Sequence, residues 1–230
     1  MRTIKYGMKK FIVMLFLTLF ACFSALAFSG CEKSADLSPY VSQNRMQIYG
    51  GKSENFDLTL YAERREEPFI GDGYVGEIKN VLIIKLDGVG GDVASADVTV
   101  VYDNEEKVFA YVKGVRNSIV SAGEKLPQSP TVTAKITRGD KSETIELYSK
   151  KLSTDCTYIE AIDAVQKYDG ETVERLFYGN RALAEINVRL ISDDGKNYYF
   201  VGFIEEGGKT SAYLIDAETA TVIATRTVGK

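Results

Sequence analysis

From Arg45 to Lys150 the chain alternates apolar and polar residues in short runs, and that period of two constrains the fold more than any other feature. Phe56-Asp-Leu-Thr-Leu-Tyr puts Phe56, Leu58 and Leu60 on one face of an extended strand. Val98-Thr-Val-Val-Tyr, Val108-Phe-Ala-Tyr-Val and Val132-Thr-Ala-Lys-Ile-Thr behave alike, as does Thr144-Ile-Glu-Leu-Tyr, with Ile145 and Leu147 turned inward. Ile78–Leu86 (IKNVLIIKL) is more apolar and reads as a central strand. With Met46–Tyr49 these make seven candidate strands. Turn residues separate them: Gly50-Gly51, Gly71-Asp72-Gly73, Gly88 to Asp92, Asp103-Asn104, Pro127 to Pro130 and Gly139-Asp140.

Seven short strands in about a hundred residues match the pattern of an all-β, immunoglobulin-like sandwich, expected over residues 41–151. No Trp is present, so the Cys–Trp–Cys hallmark is missing and the match is architectural only. From Ser153 the period changes. Tyr158, Ala161, Ile162, Val165 and Tyr168 share one face of a helix, with Thr154 or Asp155 able to cap it and Gly170 able to end it. Glu171–Tyr178 (ETVERLFY) reads as a second short helix ended by Gly179. Four strand-like runs follow, Ala184–Ile191, Asn197–Ile204, Thr210–Ile215 and Thr221–Thr227, with hairpin turns at Asp194-Gly195 and Gly207-Gly208. Residues 153–230 are therefore expected to form an α+β module, a helix covering one face of a four-stranded antiparallel meander.

The run Ala212-Tyr-Leu-Ile-Asp-Ala-Glu-Thr-Ala-Thr-Val-Ile resembles the end of PepSY-type domains, where a Tyr-containing strand runs into Asp-Ala-x-Thr-Gly and then Val. The upstream helix YIEAIDAVQKY resembles their opening helix, so the likeness spans roughly residues 155–228. Asp216 and Thr219 can hydrogen-bond the turn backbone. Ala220 stands where the family has Gly. A cystatin-like or NTF2-like module fits the same pattern. The PepSY resemblance implies an inhibitory or regulatory role toward an envelope or secreted peptidase.

The N-terminus carries an address. Residues 1–10 are short and basic, and Phe11–Phe28 (FIVMLFLTLFACFSALAF) holds no charge. Small residues follow at Ser29 and Gly30. Basic, apolar, then small is the order of a secretory signal. Phe28-Ser-Gly-Cys31 resembles the lipobox of bacterial lipoproteins, with Phe28 where Leu is usual. That resemblance implies a signal peptide over 1–30, acyl chains on Cys31, a polar tether over 31–40 and a body held at the bilayer. Two other readings compete: cleavage after Ala25-Leu26-Ala27 with free secretion, or an uncleaved helical anchor.

The chain has no histidine. Ser-His-Asp and Cys-His catalysis are excluded, as are His-containing zinc sites. Net charge is −4, and the first 30 residues hold Arg2, Lys5, Lys9 and Lys10 without an acid, so removing four positive charges leaves −8. Such an acidic body does not suit nucleic acid. Beyond Cys31 the only cysteine is Cys156, which could be a reactive thiol but, with no His to activate it, is expected as a small buried apolar residue.

Candidate sites each have a bland counterpart. Asp87-Gly-Val-Gly-Gly-Asp92, with Asp97 beyond, could offer oxygens to a hard cation, but it lacks EF-hand spacing and reads as a flexible hairpin. Glu63-Arg-Arg-Glu-Glu67 is either a recognition loop with Phe69 and Tyr74 as exposed anchors or a solvated strand end. Asp193-Asp194 and Glu205-Glu206 pair carboxylates, but at hairpin tips where a raised pKa is not expected. Tyr198, Tyr199, Phe200 and Phe203 alternate between the faces of one strand, so some must face away from the helix, toward the first module or a ligand. The sequence thus points to a non-catalytic binding or adaptor lipoprotein, without cofactor, that meets ligands at sheet edges or an aromatic face.

Overall fold

The computed structural model describes residues 35–88, 96–109, 117–123, 125–179 and 181–229. Cys31, the signal-like stretch before it and Asp92 lie outside the described residues. Strands dominate: β1 (Val41–Lys52), β2 (Phe56–Glu66), β3 (Ile78–Gly88), β4 (Asp97–Tyr102), β5 (Glu105–Phe109), β6 (Asn117–Ser121), β7 (Thr131–Arg138) and β8 (Lys141–Ser149). Helices α1 (Tyr158–Tyr168) and α2 (Gly170–Leu176) follow. The short hairpin β9 (Phe177–Tyr178) and β10 (Arg181–Ala182) leads into β11 (Ala184–Asp193), β12 (Lys196–Glu205), β13 (Thr210–Asp216) and β14 (Thr221–Val228). No described helix is long and apolar enough to cross a membrane.

All strands but β9 and β10 belong to one mixed sheet, ordered β14-β13-β12-β11-β1-β8-β7-β4-β5, with β2, β3 and β6 branching from β1. β1 is the junction. Its first residues pair in parallel with β11 (Val41 with Ile186, Arg45 with Arg189), and Tyr49 and Gly50 pair with β8. Its neighbour β2 follows it antiparallel from Gln43 opposite Arg65 to Lys52 opposite Asp57. The sheet folds back on itself, a mostly β architecture consistent with a sandwich. Leu58, Leu60, Leu82, Ile84, Val98, Val100, Ile136 and Leu147 fill one core. A second core lies where α1 and α2 cover the meander: Ile162, Val165, Leu176, Ile186, Val188, Tyr199, Val201, Phe203 and Ile215. Residues 36–230 form a single compact unit.

Several elements differ from the sequence expectation. β1 continues through Gly50-Gly51, because a Cβ at Gly51 would lie 2.5 Å from the Glu146 carbonyl oxygen. The glycines serve a close strand approach, and the reversal comes at Ser53, whose Oγ accepts from the Asn55 and Phe56 N–H groups. β6 lies outside the alternating runs, since Asn117-Ser-Ile-Val-Ser carries only two apolar residues, and among the described strands it pairs with β3 alone. Helix α1 is capped by Thr157, in a reciprocal capping box with Glu160, and not by Thr154 or Asp155. Asp155 instead accepts from the Leu152 N–H and from Asn197 Nδ2. Gly170 opens α2, since Asp169 both ends α1 and caps α2 through the Thr172 N–H. α2 stops at Leu176, where the Phe177 ring leaves helical register to meet Tyr40 tilted (ring centroids 5.2 Å apart) and Phe203 edge to face (5.6 Å). Within the expected tether Leu37 is buried and Ser38–Tyr40 form a 3₁₀ turn, so these residues belong to the fold.

Candidate functional site

Strand alternation decides the fate of the aromatic run on β12. Tyr199 and Phe203 point into the second core, where Phe203 meets Phe177 and Tyr213 edge to face. They are core residues and not a ligand surface. Burial pushes the Tyr199 phenol far up. Tyr198 and Phe200 face the other way and are half-buried; the Arg189 guanidinium lies 5.0 Å from the Phe200 ring centroid. Phe69 and Tyr74 are exposed on the loop 67–77. The Tyr74 hydroxyl donates to Glu206 Oε2 at 3.2 Å, and the Gly73 N–H donates to Glu185 Oε1 at 3.3 Å, which docks this loop on the β11–β12–β13 end.

Charges gather where the start of β1, the end of β2 and β11 meet, two of them, Glu63 and Glu66, from the run that reads as either a recognition loop or a solvated strand end. Glu63 is fully buried and accepts from Arg45 Nε at 2.5 Å and Gln43 Nε2 at 2.8 Å. Arg45 also lies over the Tyr61 ring, 4.1 Å from its centroid. Arg189 stands in register with Arg45; desolvation and then the neighbouring guanidinium hold its pKa below the usual arginine value. Glu66 and Glu185 are buried too, and Oε2 of each has no hydrogen-bond partner among the described residues. Burial pushes the Glu185 carboxyl up; Ser42 and the Gly73 N–H offset part of this, while the charges of Glu66 and Asp72 add to it. A cavity of about 210 Å³ opens beside this set, lined by Arg45, Tyr61, Lys150, Thr59 and Ser192 among others. Glu185 and Arg189 sit in a strand-like run, while Arg45, Glu63 and Glu66 lie just outside one. The alternation tells which face the first two take, but only the tertiary fold tells that the face is covered.

The other candidates separate. Asp87 pairs with Lys85 at 2.6 Å and Asp97 is exposed. Among the described residues no three Asp, Glu or Cys side chains gather as a metal site. Cys156 is half-buried, and burial pushes its thiol up to about 11, so it is protonated at neutral pH. Asp194 and Gly195 form the β11–β12 turn with φ of 46° and 78°. Glu205 is held below the usual carboxylate range by Arg175 at 3.1 Å, with Lys209 at 3.4 Å. A wider cleft of about 900 Å³ lies between β3, the β4–β5 turn and residues 121–128, with Arg64, Lys79 and Lys125 on its walls. The Asp103 carboxylate in it already accepts from the Gln128 N–H and the Ser129 hydroxyl.

β14 is the remaining open feature. It pairs only with β13, and seven of its eight side chains are exposed, Val222 alone being half-buried. Among the described residues no strand lies beside its outer row of backbone N–H and C=O groups. Comparison with protein-family models, with curated proteins and with solved structures finds no match to this chain.

Proposed function

We propose that this chain is an extracytoplasmic lipoprotein, held at the bacterial cell membrane by acyl chains on Cys31, that binds another envelope protein without catalysis. We read β1–β8 as an immunoglobulin-like sandwich, and α1 through β14 as a helix-plus-meander module of the PepSY or cystatin-like kind. The observation that carries the binding mode is the edge of β14: a run of Thr, Val and Ile with one charge, Arg226, and no proline. Such an edge accepts an extended segment of a partner as a further strand, with main-chain hydrogen bonds giving affinity. The buried rings of β12 favour this edge over the aromatic face. The test is a cross-linking pull-down from solubilised envelope, using the native chain and its Ala224→Pro and Thr225→Pro forms. Neighbouring residues on a strand turn their N–H groups to opposite sides. One proline therefore removes a donor from the free edge and the other breaks pairing with β13. A partner captured by the native chain and lost on edge-donor removal, with the fold intact, supports strand addition. Unchanged capture with both variants refutes it.

A second reading, restraint of an envelope or secreted peptidase, is favoured by one turn. Asp216 Oδ1 accepts from the Glu218 N–H and from the N–H and hydroxyl of Thr219, and Ala220 follows at φ 50°. The resembled family has Gly at that position, and a left-handed residue there is what a Gly would serve. If the reading holds, the purified chain slows proteolysis by the host's secreted fraction; no slowing over a range of concentrations removes it.

A further inference from the structure

The strand directions place several loops at one end of the described fold. β1 begins there at Val41, and β11, parallel to it, begins at Ala184. β12 and β2 end there, at Glu205 and Glu66, and β3 begins there at Ile78. The loop 67–77 and the β9–β10 hairpin belong to the same end: Tyr74 bonds Glu206 and feels the Arg181 charge, and Tyr40 stacks on Phe177. This end carries the most exposed large apolar side chains of any loop region described: Phe69 (39%), Ile70 (63%), Tyr74 (58%), Tyr178 (81%) and Leu183 (42%). Three of the five are aromatic and two are Tyr, the composition of a membrane-interface belt.

The chain also leaves the described fold here. Leu37 is the first buried residue, and Cys31 lies six residues before it. Fully extended, six residues reach roughly 20 Å. A lipid on Cys31 therefore cannot hold this end of the body further than that from the headgroups. We infer that Phe69, Ile70, Tyr74, Tyr178 and Leu183 form a bilayer-contacting face, seated in the headgroup region beside the anchor, which fixes the body's orientation and turns the edge of β14 sideways along the membrane. The inference rests on the acylation of Cys31 proposed above. The loop 67–77 carries Glu67, Asp72 and Glu77 without a cation, and Arg175 and Lys209 are paired with Glu205, so contact depends on apolar insertion and not on anionic lipid.

The chain has no Trp, so single Trp probes report cleanly. The full chain, purified from membranes as Phe69→Trp, Tyr178→Trp or Asp140→Trp, is reconstituted in vesicles of phosphatidylcholine and phosphatidylglycerol with and without brominated acyl chains. Asp140 lies in the β7–β8 turn at the opposite end of the strands. Flotation reads the anchor; quenching reads the face. The expected result is flotation of all three, with about a twofold loss of emission for Phe69→Trp and Tyr178→Trp, as for rings at headgroup depth, and none for Asp140→Trp. Flotation with all three unquenched overturns the face while leaving the anchor, and marks the patch for a protein partner. Failure to float overturns the anchor, and the face falls with it.

Discussion

Glu185 is the side chain whose surroundings cost most and show least in the sequence. Its carboxyl is fully buried at the start of β11, with Oε2 unpartnered and the Glu66 carboxyl near enough to raise its pKa further. A group whose folded pKa lies above its unfolded value binds its proton more tightly in the fold. Its penalty is absent below the unfolded value, 4.5, and grows as pH rises through the raised folded value. Glu185→Gln keeps the shape and the acceptor for the Gly73 N–H and removes the charge. It should stabilise the chain by about 1 kcal/mol near neutral pH, with the gain vanishing below about pH 4, read from urea midpoints across pH. A loss of stability at neutral pH would mean that the ionised carboxylate has a partner. Alternation in β11 could assign Glu185 to a face, but the strand does not reveal that the loop 67–77 lies against it.

The turn between β13 and β14 shows how far a local motif carries. Asp216 and Thr219 bond the turn as the sequence suggested, and the departure at Ala220 proves to sit at φ 50°. A left-handed Ala costs about 1 kcal/mol. Ala220→Gly should therefore stabilise the chain, by several tenths of a kcal/mol once the greater freedom of Gly in the unfolded state is counted, measurable as a higher urea midpoint. A lower midpoint would contradict the strain. Strands with strict alternation, and α1 with its apolar stripe, could be read from residues alone. The cap at Thr157 was legible too, since Thr157 alone of Thr154, Asp155 and Thr157 has a Glu three residues on, and the capping box with Glu160 uses it. Gly50-Gly51 misled: a glycine pair that marks a turn by composition also marks a close strand crossing, and the crossing strand, β8, lies about a hundred residues away in sequence.

Across the fold, β1 ties the two cores together. Ile48 packs into the helix-covered core and Tyr49, the next residue, into the sandwich core, where its hydroxyl donates to the Pro127 and Ser129 carbonyl oxygens. A wall shared this way should make unfolding cooperative. Leu58→Ala in one core and Val201→Ala in the other should each lower the midpoint of a single thermal transition by several degrees, as losses of about 2–4 kcal/mol require. Two resolved transitions, each sensitive to one variant, would show that the cores melt separately.

The proposed acylation of Cys31 underlies both the proposed role and the orientation drawn from it. Its most direct test is intact mass and N-terminal analysis of the chain recovered from the host membrane fraction. The expected product begins at Cys31 and carries the added mass of acyl chains. An unmodified chain beginning at Phe28 in the medium, or a membrane-bound chain that still begins at Met1, would contradict it.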